Sequence, residues 1–214
     1  MAPARTPQHY VWLASYPRSG NTFLRTILFH CFGLKSGSVY PMDVSDDLVP
    51  YVGHIEHKDR KIDFADQLPM LVKTHTMPMD DRRTIYVVRD GRPASVSLWD
   101  FYGRQGSLEK IIRGENRFGT WSNHLTQWKP QMRPNTLLIR YEELARDIGS
   151  FVPTLADFLG VEPIATTIPP RSQIASADGR WVRPPSDWRT SLGGRDMDLF
   201  LEINGQTMKE YGYL

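Results

Sequence analysis

Four short runs of β-branched and large apolar residues alternate along this chain with stretches of helical periodicity. The runs are Tyr10–Ala14 (YVWLA), residues 70–73 (MLVK), residues 84–88 (TIYVV) and Thr136–Arg140 (TLLIR). Short apolar runs bounded by turn residues suit strands buried on both faces. After the first run, Leu24, Ile27, Leu28 and Cys31 fall at i, i+3, i+4 and i+7, and Gly33 stands where such a helix would end. After the third, Pro93 suits a first helical turn, where its missing N–H costs nothing, and the helix is expected to run to about Phe101. Phe118, Trp121, Leu125 and Trp128 repeat at helical spacing. Ile148, Val152, Leu155 and Leu159 do so after the fourth run, closed by Gly160, and a last helix is expected over residues 197–210. Residues 36–69 show weak periodicity and read as loops with a short helix, and residues 169–194 are rich in Pro, Gly, Ser and Arg. Alternating strands and helices predict an α/β fold, a central parallel sheet with helices on both faces. Ligands of such sheets bind beyond the carboxyl ends of the strands, which directs attention to the turns at 15–21, 74–76 and 89–92.

Composition narrows the function classes. The 214 residues fit a single domain with a sizeable core, and 40% hydrophobic with 23% charged residues is ordinary for a globular chain. A formal net charge of +2 gives no field of the size a nucleic-acid duplex would meet, so basic residues concentrated at one site suit a small anion better. The one cysteine, Cys31, excludes an internal disulfide and a cysteine-based zinc cage. Residues 1–9 lack the apolar core of a signal peptide, and no stretch approaches the length of a membrane span. The expectation is a cytoplasmic protein with a small-molecule partner, neither nucleic-acid-binding nor membrane-bound.

Ser15-Tyr16-Pro17-Arg18-Ser19-Gly20-Asn21-Thr22 links the first strand to the first helix. A helix N-terminus exposes unpaired backbone N–H groups and carries partial positive charge, so it stabilises an anion. Gly20 lets the backbone come close, Arg18 supplies a permanently charged planar fork, and Ser19, Asn21 and Thr22 add hydroxyl and amide donors. The sequence lacks the G-x-x-x-x-G-K-[ST] pattern of magnesium-dependent NTPases. A second turn repeats the device: Arg89 ends the third strand and Ser97 lies eight residues on, in the following helix. Two such turns suggest two phosphate groups. A nucleoside or small-molecule kinase, and a non-catalytic nucleotide-binding or scaffold protein, stand as alternatives. The missing G-K-[ST] argues against the first.

Here the chain resembles the sulfotransferases whose donor is 3′-phosphoadenosine 5′-phosphosulfate. Their motif Y-P-[KR]-S-G-[TN]-T matches Tyr16 to Thr22, their K-T-H tripeptide matches Lys73-Thr74-His75, and their Arg followed by V-S matches Arg89 with Val96-Ser97. A strand followed by Y-E-[DE]-L matches Tyr141-Glu142-Glu143-Leu144, and the four motifs stand in family order over roughly residues 11–160. The resemblance implies a P-loop-like sulfotransferase architecture that needs no metal. It implies that Arg18, Ser19, Gly20, Asn21, Thr22 and Phe23 hold the 5′-phosphosulfate, that Arg89 and Ser97 hold the 3′-phosphate, and that Tyr141 lies near the adenine. His75 would be the general base, with Lys73 and Arg18 beside the transferring group. Arg18 stands where the cytosolic animal enzymes usually have Lys, and Phe23 where Trp is frequent. The family's R-K-G-x-x-G-D-W-K segment is only loosely echoed by RWVRPPSDWR at residues 180–189, so Arg180 or Arg183 would close over the 3′-phosphate.

The chemistry such a donor asks for is in-line displacement, with positive charge where the leaving phosphate gains negative charge. Histidine titrates near neutrality and can take an acceptor proton if it is within reach. His54 and His57 beside Glu56 read as solvated loop residues rather than a metal pair. Trp99, Phe101 and Tyr102 either line an acceptor pocket or pack in the core, whereas Trp121 and Trp128 read as core. Phenol, alcohol, sugar hydroxyl, amine and natural-product acceptors all stay open.

Overall fold

The structure is a computed structural model, which describes residues 9–41, 43–59, 61–180, 182 and 187–214. The chain runs β1 (Tyr10–Ala14), α1 (Asn21–Phe32), β2 (Ser36–Ser38), α2 (Val49–Val52), β3 (His57–Lys58), β4 (Lys61–Ile62), β5 (Met70–Thr74) and β6 (Arg83–Val88). It continues α3 (Gly91–Phe101), α4 (Leu108–Ile112), α5 (Trp121–Trp128), β7 (Thr136–Arg140), α6 (Tyr141–Arg146), α7 (Ile148–Leu159), α8 (Arg171–Ala177) and α9 (Gly194–Glu210). Five strands form one sheet in the order β2-β5-β1-β6-β7, every pairing parallel. β3 and β4 make a separate antiparallel pair. The expected α/β architecture, a parallel sheet with helices on both faces, is the one observed.

Side-chain alternation along the strands divides the core. Val11, Leu13, Leu71, Ile85, Val87 and Ile139 point to one face, where they meet Leu24, Ile27, Leu28 and Cys31 of α1 and Val152, Leu155 and Leu159 of α7. Trp12, Ala14, Val72, Tyr86 and Val88 point to the other, against α3, α5 and α9, where Trp121, Trp128 and Phe200 are almost fully buried. Each large apolar side chain so buried contributes roughly 1.5–3 kcal/mol, and two such faces hold the sheet as a rigid floor. The helical stripe read over α1 is the buried stripe. Gly33 closes that helix in the left-handed region (φ 68°), its N–H bonding the Phe29 carbonyl at 2.9 Å.

β1 lies at the centre, paired with β5 on one side and β6 on the other, Ala14 standing opposite both Thr74 and Tyr86. From β1 the chain crosses to β2 on one side of the sheet, and from the neighbouring β6 it crosses to β7 on the other, so the ends of these strands border the topological switch point where a ligand crevice opens. The three turns marked out in the sequence are these ends.

Several elements differ from the sequence reading. β2 is a fifth strand within the segment read as loops, and its residues Ser-Gly-Ser carry no strand signature. α4 and α8 are short helices that the periodicity did not reveal, and α9 begins at Gly194, one turn before the expected 197. Among the described residues, no helix is long and apolar enough to cross a membrane.

Candidate active site

The turn after β1 is shaped by backbone before side chains. Arg18 adopts a left-handed φ of 64° and Gly20 a φ of 103°, while the Ser19 N–H bonds the Tyr16 carbonyl at 3.3 Å. Gly20 caps α1 without any side-chain hydrogen bond, leaving the first N–H groups of the helix directed out of the turn. A Cβ on Gly20 would stand 2.4 Å from Cδ2 of Tyr141, so only glycine allows the β7–α6 junction to close on this loop.

A cleft of about 1730 Å³ opens over this turn. Arg18, Gly20, Asn21, Thr22, Phe23, Lys73, His75, Arg89, Ser97, Tyr141 and Arg180, all singled out in the sequence, line it together. Ser19 does not line it: the residue is buried, and among the described residues its Oγ has no hydrogen-bond partner. Asn21 lines the cleft, but its carboxamide works inward, donating to the Leu13 carbonyl at 2.8 Å and to Ser15 Oγ at 3.4 Å. The donor expected there for an anion is thus spent on tying α1 to the end of β1. Arg183 lies outside the described residues.

The two basic turns adjoin each other. Arg89 Nη1 donates to the Arg18 carbonyl at 2.9 Å, and Arg18 Nε donates to Ser97 Oγ at 3.1 Å. Arg89 stacks on Tyr141, its guanidinium carbon 4.6 Å from the ring centroid, and Tyr141 meets Phe23 edge to face at 6.0 Å. Tyr141 OH accepts from Arg171 Nη1 at 3.1 Å. Arg180 arches in after α8: its carbonyl accepts from Arg18 Nη2 at 3.4 Å, and its guanidinium lies 4.8 Å from the Phe101 centroid, where Arg18 also rests at 5.2 Å. Phe101 and Tyr102 line the cleft. Trp99 instead packs against the core, its Nε1 donating to the Gly106 carbonyl at 3.0 Å.

His75 follows β5. Its Nδ1 is 2.7 Å from the Ser15 carbonyl, which can only accept, so Nδ1 carries the proton and Nε2 keeps its lone pair. Among the described residues Nε2 has no hydrogen-bond partner. Burial, and then the neighbouring Lys73 charge, push the imidazole pKa well below its ordinary 6.5, so the ring is neutral at pH 7. The backbone is braced on both sides: the His75 N–H donates to Tyr40 OH at 3.0 Å, and the His75 carbonyl accepts from His124 Nε2 at 3.1 Å. His124 is itself fixed by Tyr86 OH on Nδ1 at 2.7 Å, and burial lowers its pKa to about 4.

Lys73 is set in a network absent from the sequence reading. Its Nζ pairs with Asp43 Oδ1, while Asp43 Oδ2 accepts from Arg25 Nη1 at 2.6 Å. Burial alone would raise the Asp43 pKa, but Lys73 and Arg25 outweigh it and hold the carboxyl at about 2. Arg25 is fully buried, bonding Ser36 Oγ at 2.7 Å and His54 Nδ1 at 2.8 Å. His54 is therefore occupied with Arg25 and Glu56, and His57 bonds the Ser38 carbonyl at 2.6 Å. Among the described residues no group of three His, Cys, Asp or Glu side chains stands as a metal site.

These features define a class: an α/β protein whose switch-point crevice combines a helix N-terminus without a side-chain cap, several arginines and a neutral histidine whose Nε2 has no partner among the described residues. The family model described as "Sulfotransferase domain" matches residues 8–172, and the chain belongs to that family. The resemblance carried by the four motifs is thereby borne out. The chain is 27% identical to sulfotransferase 4A1 of mouse, rat and human over 176 residues, which cover 71% of this chain and 60% of that protein. It is 28% identical to human sulfotransferase 1E1 over 177 residues, 71% of this chain and 59% of that one. The matched region thus spans about 60% of the length of these curated relatives. In fold, mouse sulfotransferase SULT7A1 complexed with PAP superposes with a TM-score of 0.67 at 19% identity, covering 97% of this chain and 90% of that one. Retinol dehydratase in complex with retinol and PAP gives 0.63 at 17%, covering 97% and 82%.

Proposed function

We propose that this chain transfers the sulfuryl group of 3′-phosphoadenosine 5′-phosphosulfate to a hydroxyl or amine of a small-molecule acceptor, with His75 as general base. The residues present fit such a donor. Gly20 and the uncapped start of α1 offer backbone donors to the 5′-phosphosulfate, joined by Arg18 and Thr22. Arg89, Ser97 and Arg180 stand around Arg18 and would meet the 3′-phosphate, with Phe23 and Tyr141 forming an aromatic wall for the base.

The donor supplies an electrophilic sulfur: the acceptor oxygen bonds to it as the bond to the 5′-phosphate oxygen breaks, leaving adenosine 3′,5′-bisphosphate. The chain's own contribution is positioning and charge. Nε2 of His75 takes the acceptor proton. Arg18 and Lys73 supply positive charge beside the leaving oxygen; burial lowers the Lys73 pKa, and the Asp43 carboxylate opposes that shift and directs the ammonium. The observation that carries this reading is the 2.7 Å contact from His75 Nδ1 to the Ser15 carbonyl, which fixes the tautomer with a basic nitrogen in an arginine-rich cleft.

The test is donor-product titration beside turnover on a panel of phenols, alcohols and amines. His75→Ala is expected to lose about 10²–10⁴-fold in kcat, the usual worth of general-base help, while adenosine 3′,5′-bisphosphate binds as before. Retention of about a quarter or more of the wild-type kcat would remove His75 from the role.

A further inference from the structure

We infer that the acceptor is a hydroxyaryl compound bearing an anionic substituent, and that Arg117 selects it. The inference rests on the sulfotransferase reading and concerns the acceptor side of the same cleft.

Two aromatic rings flank the His75 imidazole. Tyr40 stacks on the imidazole at 6.0 Å with planes 24° apart, and Phe118 meets it edge-on at 5.9 Å and 85°. Arg117 lies over both of these neighbours, its guanidinium carbon 4.9 Å from the Tyr40 centroid and 4.6 Å from that of Phe118. All four residues line the cleft. A planar acceptor that brings a hydroxyl to Nε2 must therefore pass along aromatic surface, which favours an aryl ring. A ring laid along Tyr40 and Phe118 lies beside the Arg117 guanidinium that covers both.

Charge decides what the far end carries. Every carboxylate on the cleft wall is already engaged. Asp43 holds Lys73 and Arg25, and Asp90 holds Arg92. Asp100 accepts from Arg104, and Glu142 accepts from the Asp90 N–H and from Tyr213 OH. Arg117, in contrast, makes no hydrogen bond or ion pair among the described residues. Its planar fork is held over two rings with all its donors available to a carboxylate, sulfonate or phosphate. Arg117 is exposed, and an anionic tail reaching its guanidinium gains a charge-assisted contact that a neutral tail does not.

The experiment uses the whole chain loaded with adenosine 3′,5′-bisphosphate, titrated calorimetrically with 6-hydroxy-2-naphthoate and with its neutral counterpart 6-hydroxy-2-naphthamide. The naphthoate is expected to bind at least about tenfold more tightly, as a charge-assisted bidentate contact warrants. Arg117→Gln is expected to erase that preference, and Arg117→Lys to restore part of it, with bisphosphate affinity unchanged in both. Equal binding of the two naphthalenes, binding of neither, or a preference that survives Arg117→Gln would each overturn the inference. So would a parallel loss of bisphosphate affinity in Arg117→Gln, since Arg117 would then belong to the donor. Failure of the wild-type chain to bind the bisphosphate at all is a separate result, and it would remove the sulfotransferase reading underneath.

Discussion

At the scale of single residues, the neutral state of His75 has a direct kinetic consequence. In the role proposed for His75 a general base works only unprotonated, and burial together with the Lys73 charge holds this imidazole below its ordinary pKa. The acid limb of a kcat/KM profile is therefore expected well below pH 6.5, with activity flat from there to neutrality. A limb at 6.5 or above would mean that the ring is not desolvated during the proposed turnover. Stability moves in the same direction. In the unfolded chain His75 and His124 regain ordinary pKa values, so below pH 6.5 the unfolded state binds protons that the folded state refuses. The stability these two residues allow is thus complete above 6.5 and declines as pH falls, for His124 until about 4. Lys73 and His75 were legible because they stand in one tripeptide at a strand end. Arg25 and Asp43, which orient Lys73, were not. Arg25 is a cation among the apolar residues of α1, and Asp43 lies in a segment without periodicity, so only the fold brings them together.

Whole elements were legible where burial imposes a period. β1, β5 and β6 are buried by helices on two faces and read as apolar runs, β7 reads as one although at the sheet edge only its Ile139 is buried, and α1 and α7 show their stripes. β2 has three small residues, and it is a strand because β5 offers it a ladder, which no propensity reveals. α8 is seven residues long, with only Ile174 buried, too little for a period to emerge. The junction of β1 and α1 can be tested as a unit. Gly20→Ala would place a methyl 2.4 Å from the Tyr141 ring at a φ of 103°, so the loop must shift or Tyr141 must leave. A melting curve should show a loss of roughly 1–3 kcal/mol, the usual cost of such backbone strain. Titration should show a larger loss of bisphosphate affinity, because the N–H groups at the start of α1 move with the loop. Unchanged affinity in a folded Gly20→Ala protein would mean that the anion does not sit on this turn.

Across the molecule, the two basic turns were read from the sequence as separate anion sites, and the structure joins them. Arg89 reaches from the end of β6 to the carbonyl of Arg18, a residue held at a left-handed φ of 64°, and Trp121 from α5 donates to the Arg89 carbonyl at 3.0 Å. Arg18 in turn reaches Ser97 on α3. Two strand ends and two helices are therefore tied across the switch point before any ligand arrives. Were Arg89 only a clamp for the 3′-phosphate, Arg89→Ala would weaken adenosine 3′,5′-bisphosphate and leave adenosine 5′-monophosphate untouched. The bond to Arg18 predicts otherwise. The bisphosphate should lose about 1.5–3 kcal/mol, the range for a hydrogen bond to a charged group. The monophosphate should lose a smaller but measurable part, because the loop proposed to bind its phosphate has lost the donor holding it in a strained conformation. Titrating both nucleotides against wild type and variant separates the two cases, and an unaltered monophosphate affinity would show that the two turns act independently.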